Sequence, residues 1–427
     1  MKQTIGNYRW RVVSLLFFAT TLNYVDRSVL GLLKPVIATD LGWTEIQYGY
    51  IVSAFSVAYG LGLLLTGVLL DRYGTKAGYV VAVSVWSIAC SFHAFARSVF
   101  GFGLARFMLG VGESVNFPAA VKSVSEWFPK KERALANGWF NSGSNVGAFL
   151  APVIVSFITV QYGWRWAFIV TGALGTIWVI AWFISYRLPE KHPRVSKAEL
   201  EYIVSDSVEE KKVAVSWIKL ITDRRAQAFC IIKVATDWVW WFLLFWTPDL
   251  LNKMFGADIK ELVIPLVLIY TMASIGGIGG GWLSSTLIKR GKSINFSRKI
   301  AMLISAFIML SVLFIPSSPE LWVAVLLLSL STAAHQGWSS NVFAIASDIY
   351  PKHMVGSVVS LGGFAAAIAN AVFATLIGLA LQITKSYTIV FLTAGTMYFL
   401  SWFVLKLMVP VIGSPENAGD ELQVAGR

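Results

Sequence analysis

Long apolar runs, broken at short intervals by a few charges, set the pattern of this chain. Measured against the ~20 residues that cross a bilayer as a helix, they predict twelve spans. These fall at roughly 11–37, 45–70, 77–96, 98–123, 134–160, 165–186, 226–251, 262–288, 297–315, 320–347, 354–382 and 387–409. A tight polar link, Asp71 to Lys76, joins the second span to the third, and a basic link, Pro129 to Arg133, joins the fourth to the fifth. Residues 187–225 break the pattern: nine Lys or Arg, several acids and few apolar runs predict a central, partly helical loop. The expected organisation is a six-helix bundle at 1–186, a central loop at 187–225, a second six-helix bundle at 226–412 and a disordered polar tail at 413–427. The first run follows Arg9 and Arg11 as a signal peptide would, but it is too long, carries Asp26 and Arg27 and lacks a small-residue cleavage site. It reads as a retained helix.

The two halves repeat. Ser125-Glu-Trp-Phe-Pro-Lys130 has a counterpart in Ser347-Asp-Ile-Tyr-Pro-Lys352, and both precede a span rich in Gly, Ala and Ser. Asn23-Tyr-Val25 is weakly echoed by Asp237-Trp-Val239. Parallel six-helix repeats joined by a long loop imply a substrate site near the midplane, where the repeats meet.

Composition agrees with the pattern: 56% of the 427 residues are hydrophobic and 14% charged, where soluble domains average about 25% charged. The net charge of +12 raises nucleic acid as a partner. The basic residues cluster in alternate links, however, and the links at 39–45 and 316–320 hold no Lys or Arg. That is the positive-inside distribution, which places both termini and the central loop in the cytoplasm and makes the bilayer, not nucleic acid, the partner. Cys90 and Cys230 both fall in spans and suggest no disulfide framework.

Charges inside the spans then single out candidate chemistry. Arg106 and Glu113 are separated by close to two helical turns, on one face and about 10 Å apart along the axis. Asn116 follows one turn later, and Gly110 and Gly112 allow a helix or a ligand to approach closely. A charge buried in the membrane points to function, and a structural Arg–Glu pair pinning two helices is the alternative. Arg27 joins Arg106 as a second cation. Two guanidinium forks suit a carboxylate, while Asp26 and Glu113 are acids whose protonation neighbouring charge and burial can move. Tyr24, Tyr59, Asn116, Asn141, Ser144 and Asn145 are uncharged hydrogen-bonding groups suited to sugar hydroxyls, with helix–helix bonding as the alternative. In the second half the corresponding face is Asp237, Trp240, Trp241 and Phe245, with His335, Gln336, Trp338, Asn341 and Asn370. Its aromatic rings can pack on a sugar ring. Asp237 lies four residues after Lys233, the spacing of a local helical pair.

Gly67-Val-Leu-Leu-Asp71-Arg72-Tyr-Gly74-Thr-Lys76 resembles the loop signature of the major facilitator superfamily at every main position. The second-half equivalent, Gly281 to Gly291, has lost the Asp. The resemblance implies an all-α polytopic fold of twelve transmembrane helices in two pseudo-symmetric six-helix bundles, with Asp71 and Arg72 as gating residues that latch the outward-facing state. Asn23-Tyr-Val-Asp26-Arg27, together with Arg106 and Glu113, resembles the anion:cation symporter family within that superfamily. Ala334-His335-Gln336-Gly-Trp338-Ser-Ser-Asn341 resembles the tenth helix of bacterial hexuronate transporters. This implies a monomeric, proton-coupled symporter importing a sugar acid such as glucuronate or galacturonate across a bacterial inner membrane. It places proton coupling on Asp26 and Glu113 and substrate on the groups above. Galactonate, glucarate or an aromatic acid is the alternative cargo. Neither a cofactor nor a metal is implied. The four His show no ligand spacing, no nucleophile–base set points to an enzyme, and no phosphate-cradling loop points to ATP. A sensor would carry an extra soluble domain.

Overall fold

The computed structural model describes residues 6–205 and 217–413, without the side chains at 68, 71, 130, 134, 352 and 353. The expected tail beyond Gly413 and the middle of the central loop therefore lie outside the described residues. The helices of the first half are α1 (Tyr8–Leu41), α2 (Glu45–Phe92), α3 (Val99–Glu113), α4 (Asn116–Trp127), α5 (Lys130–Tyr162) and α6 (Trp164–Ser185). The central segment holds a 3₁₀ turn at Pro189–Lys191, α7 (Lys197–Val204) and α8 (Trp217–Thr222). The second half continues with α9 (Arg224–Phe255), α10 (Val263–Lys289), α11 (Ile294–Met309), α12 (Leu321–Ile349), α13 (Lys352–Thr384) and α14 (Thr388–Met408). A 3₁₀ stretch, Leu310–Ser317, extends α11, and no strand occurs among the described residues.

Among the described residues, ten segments are long and apolar enough to cross a membrane. The two expected spans that are not among them are the first and the fourth. α1 is 34 residues long, but Asp26, Arg27 and Lys34 lower the hydropathy of its middle. The fourth is interrupted at Ser114 and Val115, which separate α3 from α4. These two spans carry Asp26, Arg27, Arg106 and Glu113, the candidate charges of the first half. The second and third spans run on as α2, broken only at Gly74, whose φ of 76° suits a residue without a side chain.

The repeat is visible in the helix boundaries. α4 ends at Trp127, Phe128 is extended, Pro129 caps and α5 begins at Lys130. α12 ends at Ile349, Tyr350 is extended, Pro351 caps and α13 begins at Lys352. Proline bars the helical conformation for the residue before it and pre-sets its own φ for a helix start, so one Pro ends one helix and launches the next.

Contacts divide the chain into two compact units, Met1–Trp43 with Ala54–Lys212, and Thr44–Ser53 with Val213–Arg427. In the first unit α1 packs along α5; in the second α9 packs along α13 and α10 along α12. The opening turns of α2 belong to the second unit. Tyr48 donates to the carbonyl of Phe245 at 2.9 Å, and Lys253 is ion-paired with Glu45 and, at 2.9 Å, with Asp249. The start of the central segment belongs to the first. Glu199 of α7 is buried and accepts from the Arg9 backbone N–H at 3.1 Å, while the Arg9 guanidinium reaches Glu132 at 3.0 Å. His192 lies 4.2 Å from the Tyr8 ring and 5.7 Å from that of Trp127. Burial there pushes its pKa below the ordinary imidazole value.

Candidate functional site

The charges of α1 and α3 meet inside the first unit. Arg27 Nε donates to Glu113 Oε2 at 2.8 Å, with the two side chains 5% and 0% exposed. Arg27 Nη2 also donates to Asn23 Oδ1, one turn back, at 3.1 Å. Arg106 Nη2 donates to the backbone carbonyl of Arg27 at 3.1 Å. The Arg27 guanidinium lies 4.9, 5.4 and 5.0 Å from the ring centres of Tyr24, Phe55 and Tyr59, and Phe55 faces Arg106 as well, at 5.4 Å. Glu113 is thus bonded to the cation on the neighbouring helix rather than to Arg106 on its own. Removing one partner of such a buried pair strands a charge and costs about 3–5 kcal/mol.

Two glycines seat α3 closely on α2. A Cβ on Gly110 would sit 2.5 Å from the carbonyl oxygen of Phe55, and one on Gly112 would sit 2.8 Å from the Trp86 nitrogen. A neighbouring helix, α2 on both sides, occupies the room the glycines leave.

Asp26 faces elsewhere. Consecutive helical residues point about 100° apart, so Asp26 turns from Arg27 toward Cys90 of α2 and Thr171 of α6. Cys90 Sγ lies 3.4 Å from Asp26 Oδ1 and 3.3 Å from Thr171 Oγ1. Asp26 Oδ2 and Glu113 Oε1 are buried without a hydrogen-bond partner among the described residues. Asn116 is fully buried and bridges helices, accepting from Tyr79 Oη at 2.7 Å and donating to Thr20 Oγ1 at 3.3 Å. On α5, Ser144 donates to the carbonyl of Asn141 at 2.7 Å, and Asn141 and Asn145 are exposed. Arg72 is exposed, 5.5 Å from the Tyr73 ring, and the side chain of Asp71 lies outside the described residues.

The second unit gathers a different set. His335 of α12 stacks on Trp240 of α9, ring centres 5.6 Å apart, and its Nδ1 lies 2.6 Å from Tyr398 Oη of α14. Trp338 meets the Tyr398 ring edge-on at 5.2 Å. Trp241 packs on Phe245 at 5.6 Å. Asn341 donates to the Gly280 carbonyl of α10 at 3.1 Å, a helix-to-helix bond, and Asn370 is buried in α13. Gln336 is partly exposed, close to Gly277 of α10. Lys233 pairs with Asp237 at 2.5 Å, with side-chain exposures of 6% and 22%.

Sequence reasoning missed Phe55, Cys90, Thr171 and Tyr398. Each is an ordinary residue of an apolar span, and only the fold brings it to a charge or an imidazole.

Residues 16–374 match the family model described as Major Facilitator Superfamily. The chain belongs to the major facilitator superfamily. Among curated major facilitators it is 31% identical to the hexuronate transporter of Escherichia coli (strain K12) over 412 residues, 94% of this chain and 95% of that one. It is 30% identical to the galacturonate transporter of Dickeya chrysanthemi over 311 residues, 72% and 90% of the two chains. The D-galactonate transporter of Escherichia coli O6:H1 is 28% identical over 386 residues, 87% and 89%. Two crystal structures share the fold. A bacterial homolog of the human lysosomal transporter Spinster, inward-facing and occupied, superposes with TM-score 0.72 at 17% identity, covering 95% and 96%. A D-xylose–proton symporter gives TM-score 0.72 at 15% identity, covering 94% and 98%. The chain is a multi-pass membrane transporter of this superfamily, not an enzyme.

Proposed function

We propose that this major facilitator is a proton-coupled symporter that imports a sugar acid, a hexuronate such as glucuronate or galacturonate, across a bacterial inner membrane. The observation that carries the reading is the buried Arg27–Glu113 pair at 2.8 Å, with Arg106 anchored beside it. Arg27 offers the planar fork that fits a carboxylate, and an internal carboxylate already takes one prong of it, the Nε–H. Protonating Glu113 releases that fork to the substrate, so proton and anion bind with reciprocal positive coupling. Asp26, one residue along and turned to Cys90 and Thr171, is the second proton carrier. Tyr24 and Tyr59 flank the cation and offer hydroxyls, while Trp240, Trp241 and His335 supply flat surfaces for the sugar ring. The two units act as six-helix bundles that alternate access to the substrate, with Asp71 and Arg72 in the cytoplasmic latch and both termini in the cytoplasm. The hexuronate and galacturonate transporters among the relatives support the cargo.

The test is uptake into liposomes holding the purified protein. Labelled glucuronate or galacturonate should accumulate when the lumen is more alkaline than the bath, and a protonophore should abolish accumulation while leaving exchange intact. Accumulation that persists with the gradient collapsed would remove the proton from the mechanism. No uptake of any sugar acid would remove the cargo.

A further inference from the structure

At one membrane boundary of the second unit, where α14 ends and α11 begins, Phe296, Lys299, Trp402, Lys406 and Pro410 help to line a groove of about 390 Å³. None of these residues belongs to the candidate transport site. Lys299 Nζ donates to the carbonyls of Val409 at 2.9 Å and Pro410 at 2.6 Å, so α11 and the end of α14 lie at the same boundary. An ammonium has three protons to donate, and these two bonds leave one. Lys406 Nζ lies 5.4 Å from the Trp402 ring, and the Trp402 indole N–H is fixed on the Lys299 carbonyl at 2.9 Å. Neither lysine has an ion-pair partner among the described residues, whereas the neighbouring Arg298 is held by Asp348 at 2.8 Å.

Two cations in one groove repel each other, and a shared anion relieves the repulsion. The surroundings say which anion fits. Phe296 is 50% exposed and Ile300, one turn further along α11, lines the groove beside it, so one wall of the groove is apolar. Trp402 is the residue type that settles at the headgroup level. Lys289, Arg290 and Lys292, in the link just before α11, are exposed and add positive potential at this boundary. We infer that the Lys299–Lys406 groove is a headgroup site for an anionic phospholipid, its phosphate held by the two ammonium groups and one acyl chain lying along Phe296 and Ile300. Basic pockets between membrane helices, ringed by aromatic anchors, have the chemistry for such headgroups. The site does not depend on the identity of the transported acid.

The experiment uses the full chain reconstituted in nanodiscs of phosphatidylcholine and phosphatidylglycerol in equal parts, with the lipid retained on release counted by native mass spectrometry. The wild type should retain phosphatidylglycerol in preference to phosphatidylcholine. Lys406→Gln should cut that preference about five-fold and Lys299→Gln/Lys406→Gln about thirty-fold, from the usual contribution of each basic residue near an anionic leaflet. Lys299 also bonds two backbone carbonyls, so Lys406→Gln, at an exposed position, keeps the test open should the double variant fold poorly. Lys289→Gln/Lys292→Gln, in the same basic link but off the groove, should lower retention by less than Lys406→Gln alone does. Unchanged retention in Lys406→Gln overturns the site. An equal loss in the Lys289→Gln/Lys292→Gln control reduces it to general surface charge. Displacement of the lipid by millimolar inorganic phosphate would assign the groove to a free anion instead.

Discussion

The Arg27–Glu113 pair of the first unit and the Lys233–Asp237 pair of the second both put opposite charges inside membrane helices, yet they are built differently. Arg27 and Glu113 stand on separate helices, 86 residues apart in sequence, and neither side chain is more than 5% exposed. Lys233 and Asp237 stand one turn apart on α9, and Asp237 keeps 22% of its side chain exposed. A cross-helix pair ties two elements together and holds its charges against desolvation only while both are in place. A local pair forms with its own helix and asks little of the rest of the fold. The first unit has therefore made its charge network part of its tertiary structure, so whatever breaks the pair acts on that structure. The second unit surrounds its pair with aromatic surface and buried hydrogen bonds, which suits recognition of a ring.

The largest effect is expected from Arg27→Gln. It strands Glu113 in a buried site, so stability should fall by about 3–5 kcal/mol, and sugar-acid uptake should drop by at least ~100-fold, at about 1.4 kcal/mol per decade. Arg27→Gln/Glu113→Gln removes both charges and should recover most of the stability without recovering uptake. Thermal unfolding and uptake measured side by side separate the two roles. Recovery of uptake in the double variant would make the pair purely structural.

Arg106→Gln comes next. Arg106 donates to the Arg27 carbonyl and shares the Phe55 ring with it, so it both positions the first cation and adds a second. Substrate binding should be lost, and Arg106→Lys should rescue it poorly because an ammonium lacks the two-pronged donor. Unchanged affinity in Arg106→Gln would place Arg106 outside the clamp.

Glu113→Gln should be milder still, since it mimics the protonated acid. Binding and exchange should persist, accumulation driven by a pH gradient should vanish, and affinity should lose the pH dependence that a coupling of about 1–3 kcal/mol gives. Liposomes prepared with and without a gradient distinguish the outcomes. If the variant still concentrates substrate, the obligatory proton sits on another acid, and Asp26, held by Cys90 and Thr171, is next.

How far these features were legible in the sequence follows the same division. Hydropathy marks the spans because backbone groups in lipid must bond within a helix, and the Pro129 and Pro351 boundaries are written in the motif that contains them. The Lys233–Asp237 pair is legible from its spacing alone. That Arg27, Arg106 and Glu113 matter follows from the energetic cost of charges in apolar runs, but which cation Glu113 chooses does not. The pairing depends on where the fold sets α1 and α3, and Gly110 and Gly112 contribute to that by seating α3 closely on α2. Asn116 and Asn341 look like ligand groups in the sequence and bridge helices in the structure, because a buried amide needs partners and the nearest ones belong to the bundle. Cys90 carries no signal at all until the fold sets it against Asp26.

The smallest effect is expected where the two units differ most, at Lys233. Asp237→Asn removes a local pair whose acid already reaches out of the packed interior. Partly exposed ion pairs contribute on the order of 1 kcal/mol or less; Lys233 itself is only 6% exposed, but the amide that replaces the carboxylate keeps an oxygen that can accept from its ammonium. Stability should change by about that amount, and uptake by no more than about five-fold at ~1.4 kcal/mol per decade. Lys233→Met should behave similarly, because the lysine stem already lies on apolar surface, its Nζ 4.6 Å from the Phe343 ring, and methionine keeps most of that packing. The same thermal-unfolding and uptake measurements used for Arg27→Gln place both pairs on one scale. If Asp237→Asn destabilises the protein as much as Arg27→Gln does, α9 carries a structural charge network equal to that of α1 and α3, and the asymmetry between the units is one of sequence spacing only. If it leaves stability intact but abolishes uptake, the second unit holds charge in the transport step itself, and the division between a charged first unit and an aromatic second unit fails.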